Sequence, residues 1–292
     1  PAALDVTKIY ETEYPLVEHQ KPAARAALIR AWSEGCALLS YQGRGNASQL
    51  ADEVFFLSTD VPALTNATRL PLVLAYHVDA AQFDRTAYPC YMERLVKAAS
   101  GGAIAAIGST TSTYLWAGEM ITTRQFDALF PGGTTTQQPL GRVHRLAKGT
   151  ANSSNEHFVL LGDPALVLKI PPFEVHFTAG AESLVAGRRT RIEGIVQQPG
   201  GAGPQPAIDG RVVIEVLSDA DTSGYQRTEP PELEIPYVLP GAPIYRGEVE
   251  VRDSHFTCEF TVPLVLPGDS ASAKSTLLGS GGRIAAEAGN GY

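Results

Sequence analysis

Up to Pro171-Pro172 the chain alternates short, unbroken apolar runs with longer stretches whose apolar residues recur every three or four positions. From Lys21 to Glu34, residues Ala24, Ala27, Leu28, Ala31 and Trp32 fall on one helical face, and Gly35 supplies a stop. Cys36 to Tyr41, Leu70 to Tyr76 and Ala103 to Gly108 are strand-length apolar runs of the kind buried in a parallel sheet. Tyr91 to Ala99 predicts a helix with Met92, Leu95 and Val96 inward, ended by Gly101-Gly102. Thr122 to Phe130 and Leu140 to Leu146 predict two more. Val159 to Ile170 predicts a last β-like stretch with a turn at Gly162-Asp163-Pro164, and the opening PAALDVTKIY reads as a strand already under way. Strands alternating with helices of this length predict an α/β domain: a mainly parallel sheet with flanking helices.

After Pro172 the period changes to two. Thr190 to Val196, Arg211 to Leu217, Glu248 to Val251 and His255 to Val262 alternate apolar with polar residues, and Phe256, Cys258, Phe260 and Val262 share a face. Arg252-Asp253-Ser254 fits a hairpin turn. Asp219 to Pro243, rich in Pro, Asp, Thr and Glu, reads as a long surface excursion, and Ser270 to Gly282 as a low-complexity mobile stretch. Short strands between turn signals predict an all-β sandwich. The boundary therefore divides residues 1–172 from 173–292.

Charge narrows the function classes. The formal net charge of the 292 residues is −8 with no Lys/Arg cluster, which argues against a nucleic-acid partner and against an anionic lipid surface. No apolar run approaches the ~20 residues of a membrane-spanning helix. The N-terminus shows no basic segment followed by an apolar one, and both ends are abrupt, so the chain reads as a processed or partial piece of a longer protein. Three cysteines follow no metal spacing, and Cys36 and Cys258 read as buried thiols. Asn46, Asn66 and Asn152 stand in glycosylation sequons.

The chemistry centres on Leu38-Leu39-Ser40-Tyr41-Gln42-Gly43-Arg44-Gly45, an apolar strand ending in a Gly-Arg-Gly turn, and on the next strand, which ends at His77. In open α/β sheets ligands gather beyond the C-terminal strand ends, so neighbouring strands bring Arg44 and His77 to one crevice. This segment resembles the gingipain family of cysteine peptidases, whose members have the caspase-like fold. Further matches are the Glu93-bearing helix from Tyr91 to Leu95, the Gly101-Gly102-Ala103 strand, and Asn155 to Leu168 with Leu160-Leu161-Gly162-Asp163-Pro164. Tyr245-Arg246-Gly247, Phe256 to Pro263 and Gly282 to Ala285 resemble the immunoglobulin-like module that follows many of these domains. The resemblance implies an extracellular or cell-surface protein of bacterial origin with protein or peptide partners; it requires no cofactor, and leaves room for calcium on loop Asp, Glu and backbone carbonyls without naming its ligands. It covers only the C-terminal half of the family's catalytic domain. The missing N-terminal part of the same precursor, or other copies of the chain, are accordingly candidate partners.

Both catalytic positions of the family depart from its pattern. The catalytic His falls on Arg44 and the nucleophilic Cys on His77. A guanidinium stays protonated and cannot serve as a base, and an imidazole cannot replace the thiolate in a stable acyl-enzyme. The resemblance therefore implies a pseudopeptidase. An active cysteine endopeptidase would need a relocated or partner-supplied site. The available thiol is Cys90, at the start of the predicted Glu93 helix, where a helix N-terminus can lower a thiol pKa. The bland alternatives are a packing role for Cys90 and a crevice-lining or partly exposed His77. Arg44 with Asp79 or Asp84 is a candidate ion pair across the site. His77, Asp79, Asp84 and His144 lack metal-site spacing. Gly43, Gly45, Ser109, Thr110 and Trp116 are the candidate substrate-cleft residues. Trp116, with Tyr114 and Leu115, either covers that cleft or packs in the core, and the core reading is favoured.

Overall fold

The computed structural model describes residues 6–85, 87–131, 138–149, 155–168, 174–180, 184–197, 207–218, 221–227, 233–239, 241 and 243–264. The chain forms two compact units, one of Ile9–Ile170 and one of Pro1–Lys8 with Pro171–Tyr292.

In the first unit, helix α1 (Pro22–Glu34) starts on a proline whose missing N–H costs nothing there, and ends at Gly35, whose φ of 89° suits glycine. Ala24, Leu28 and Trp32, four residues apart, are its buried stripe. Strand β1 (Leu38–Tyr41) leads into a small antiparallel meander, β2 (Gly45–Asn46), β3 (Gln49–Leu50) and β4 (Phe56–Leu57). Then come β5 (Leu72–Ala75), α2 (Tyr91–Lys97), β6 (Ala105–Ser109), α3 (Leu115–Leu129), α4 (Leu140–Lys148) and β7 (Phe158–Gly162). The main sheet runs β1-β5-β6-β7. β1 and β6 lie parallel to β5, and β7 runs antiparallel to β6. Every residue of β5 and β6 is buried, as central strands covered on both faces require.

Val73, Ala75 and Ala106 share a core with α1, α2 and the meander. α3 and α4 pack on each other, and α4 on β7. Asp60 ties α1 down: its carboxylate accepts Arg25 Nε at 2.8 Å, a second bond from the same guanidinium, and the Leu57 N–H at 2.8 Å.

Several expectations are corrected. β1 is an edge strand and only Tyr41 is buried, so the run from Cys36 was over-read; Cys36 itself is partly exposed. Val6 to Tyr10 form no strand, and residues 1–5 lie outside the described residues. α3 begins seven residues before Thr122, with Gly118 set against the Tyr76 carbonyl. Asn66 is fully buried, its amide clamping Gly102 through both N–H and C=O, so its sequon is closed to glycosylation. Asn46 is exposed, and Asn152 lies outside the described residues.

In the second unit, β8 (Glu174–Ala179), β9 (Arg189–Gln197) and β14 (His255–Thr261) form a sheet of order β14-β9-β8. β10 (Gly210–Leu217) pairs with β13 (Pro243–Val251), and β11 (Asp221–Arg227) with β12 (Leu233–Leu239). The alternating residues Ile192, Val196, Val212, Ile214, Val216, Phe256, Cys258, Phe260 and Val262 make one core. Gly194 has no side chain because the Phe256 ring, its cross-strand partner, occupies that space.

Arg252 and His255 exchange two backbone hydrogen bonds of 2.9 Å around Asp253 and Ser254, both at positive φ. This is the expected hairpin turn, closed by an antiparallel bridge between Arg252 and His255, and beyond it β13 pairs with β10 and β14 with β9. The excursion from Asp219 is corrected: it contains the paired strands β11 and β12. The Ser270–Gly282 and Gly282–Ala285 readings lie outside the described residues.

Candidate functional site

β1 and β5 run side by side in one direction, with Tyr41 beside Ala75, so the residues after them leave from the same sheet edge. The expected juxtaposition follows. A Cβ built on Gly45 would stand 2.8 Å from His77 Cε1 and 2.9 Å from Nδ1, so the main chain next to Arg44 lies against the His77 ring. Any side chain at position 45 would displace that ring or the Gln49 carbonyl, also 2.8 Å away. Gly43 stands similarly close to the Tyr41 hydroxyl. That hydroxyl donates to the Arg44 carbonyl at 2.7 Å, and the Ala51 N–H reaches the same oxygen at 2.8 Å.

His77 does not line an open crevice. It is 4% exposed, set edge-on to Tyr41 and stacked on Tyr91. Its Nδ1 lies 2.9 Å from the Val78 carbonyl and its Nε2 lies 3.0 Å from the Tyr91 hydroxyl. A carbonyl can only accept, so Nδ1 carries the proton and Nε2 accepts from Tyr91. Both ring nitrogens are committed in the neutral form. Burial, opposed by the Val78 bond, pushes the imidazole pKa down to about 4. Tyr91 is the residue that sequence reasoning missed. Its signal was an aromatic hydroxyl at the start of the helix that follows the His77 strand.

The relocated thiol does not fit its task. Cys90 is wholly buried, and its N–H donates to Glu93 Oε2 at 3.3 Å. Burial raises its pKa and the charge of the Glu93 carboxylate adds to the rise, opposite to what an activated thiol at the helix start would need. Desolvation and a like charge outweigh the N–H groups of a seven-residue helix. His77 has no free nitrogen with which to act as its base.

Arg44 is exposed and forms no ion pair with Asp79 or Asp84 among the described residues, correcting that expectation. Asp79 turns instead toward the loop after β6, its N–H reaching the Thr111 carbonyl at 3.4 Å. Ser109 is buried with its hydroxyl donating to the Thr111 carbonyl, and the Thr110 hydroxyl donates to the His157 carbonyl at 3.1 Å. Both hydroxyl protons are thus committed to backbone carbonyls. Trp116 is 54% exposed and stacks on the exposed Tyr114, which corrects its assignment to the core; the Leu115 side chain lies outside the described residues.

His144 bonds the Phe158 carbonyl from α4. Among the described residues no three His, Cys, Asp or Glu side chains cluster to hold a metal. A groove of about 560 Å³ lies along α3 and α4, lined by Arg124, Asp127, Arg142 and Leu146, and includes none of the family positions.

Residues 1–169 match the family model of peptidase family C25. The chain belongs to that family. Among solved structures, this C25 chain is similar to the Arg-specific cysteine proteinase gingipain R (RgpB), with 19% identity over 82% of this chain and 50% of that one and a TM-score of 0.46. A complex of Porphyromonas gingivalis RgpB pro- and mature domains matches at 18% identity, over 82% of this chain and 51% of the other, with a TM-score of 0.46. A structure described as a protease matches at 16%, over 89% and 66%, with a TM-score of 0.45. The chain thus spans about half the length of the gingipain structures it matches. No curated protein matches the sequence.

Proposed function

We propose that this C25 chain is a noncatalytic, gingipain-like pseudopeptidase, exported to the extracellular space or cell surface and serving there as an interaction or assembly module. In this reading a caspase-like α/β unit precedes an immunoglobulin-like β-sandwich. The partners are proteins or peptides: the N-terminal part of the same precursor or other copies of the chain. The observation that supports the reading best is the state of His77 at the family's nucleophile position, where a thiolate would be needed. The imidazole is buried, neutral and hydrogen-bonded at both nitrogens. It packs against the main chain beside Arg44, which replaces the family's histidine, so neither nucleophile nor base remains at the strand ends.

The reading predicts no turnover. Incubated with an unfolded polypeptide, the chain and its Cys90→Ser variant are expected to yield identical, blank-level peptide release by mass spectrometry. Cleavage by the unaltered chain that Cys90→Ser abolishes would overturn the proposal and establish an active endopeptidase with a relocated nucleophile.

A further inference from the structure

Strands β10 and β13 form the buried base of a two-stranded ribbon, with Val212, Ile214, Val216, Ile244 and Val251 in the core. Beyond them lie β11 and β12, which among the described residues pair only with each other. There Tyr225 and Ile235 face each other across the ribbon, and both are exposed, as is Val238. A lone two-stranded ribbon is marginal in water, and its open edges are templates for another strand.

The two edges are not equivalent. Pro236 sits opposite Gly224. Proline has no N–H, so this pair is of the non-hydrogen-bonded kind, with the Pro236 nitrogen turned to the outer edge of β12. That edge is interrupted at its middle. The same parity turns the N–H and C=O groups of Thr222, Gly224 and Gln226 to the outer edge of β11, which contains no proline.

We propose that β11 is a self-pairing edge, through which two copies of this chain join antiparallel about a two-fold axis at Gly224. In this register Gly224 meets its own counterpart, and Thr222 meets Gln226 of the second copy. All three are outward-facing hydrogen-bonded positions, so the ladder closes without a mismatch. Asp221 falls opposite Arg227 of the second copy at both ends, so the strand's charges are complementary to themselves. The union makes four strands from two marginal ribbons and extends the Tyr225–Ile235 stripe across the axis. The proposal rests on the assembly reading above but not on the loss of chemistry.

Sedimentation equilibrium of the full chain tests it, with circular dichroism to confirm folding. The expected mass is twice that of the 31.1 kDa chain at high concentration. Thr222→Pro removes an outward N–H without touching the ladder inside the ribbon, and should abolish the dimer. Arg227→Asp sets like charges opposite at both ends, and should raise the dimer's dissociation constant by about tenfold or more. Asp221→Arg combined with Arg227→Asp restores opposite pairs and should restore the dimer. A monomer at every concentration, or a dimer indifferent to both Thr222→Pro and Arg227→Asp, overturns the proposal. Either result leaves the noncatalytic reading standing if peptide release stays at blank.

Discussion

Acidification from neutral pH to about 4 is expected to cost the α/β unit about 3 kcal/mol of stability through His77 alone, at about 1.4 kcal/mol per pKa unit. The folded imidazole has a pKa near 4, against 6.5 for the free group. Between those values the unfolded chain binds a proton that the folded chain refuses. Stability is therefore complete above 6.5 and is lost as the pH falls toward 4. The cause is geometric. Nδ1 already carries its proton for Val78, so protonation must occur at Nε2, which would break the bond accepted from Tyr91 and leave a cation among Tyr41, Tyr91 and Gly45. Burial lowers the pKa of His144 as well, and its effect has the same sign. Urea unfolding at a series of pH values checks this. His77→Asn should be less stable at neutral pH but flatter in slope across the window. An unchanged slope in that variant would show that His77 is not the titrating group.

Trp32→Ala should be the most damaging single truncation in the first unit, at about 3–5 kcal/mol. Trp32 is almost wholly buried, stacks on Phe56 with ring centroids 5.2 Å apart, and donates Nε1–H to the Gly102 carbonyl at 3.0 Å. The cavity dominates the lost hydrogen bond, because the Gly102 carbonyl keeps Asn66 Nδ2 as a second donor at 3.0 Å. Trp32→Phe separates the two effects. It retains much of the stack and should cost only about 1–2 kcal/mol in urea midpoint terms. A phenylalanine variant as unstable as the alanine one would assign the energy to the indole N–H.

The α/β framework was legible because its signals are local. The apolar runs of β5 and of β6 up to Gly108 could be satisfied only in the sheet centre, and the spacing of Ala24, Leu28 and Trp32 required a helix. Edges were less legible: β1 carries a similarly apolar run, yet its place at the sheet margin leaves most of it partly exposed. The strands β11 and β12 were hidden by Pro236 and the polar residues of β11. At the site, adjacency of the Arg44 turn and His77 followed from neighbouring parallel strands. The sealing of His77 did not, since it depends on Tyr91 and Tyr41, whose ring placement no local pattern specifies. Cys90 shows the same limit. A helix N-terminus is visible in sequence, whereas the desolvation that overrides it is not.

The central claim is that no activated thiol exists in the folded chain. Its most direct measurement is the intact mass of the native protein after exposure to a peptidyl chloromethyl ketone, carried out in a Cys36→Ser background because Cys36 is partly exposed. The account predicts an unmodified mass in the native state and adducts on Cys90 and Cys258 only after denaturation. A rapid, stoichiometric adduct on Cys90 of the folded protein would contradict it.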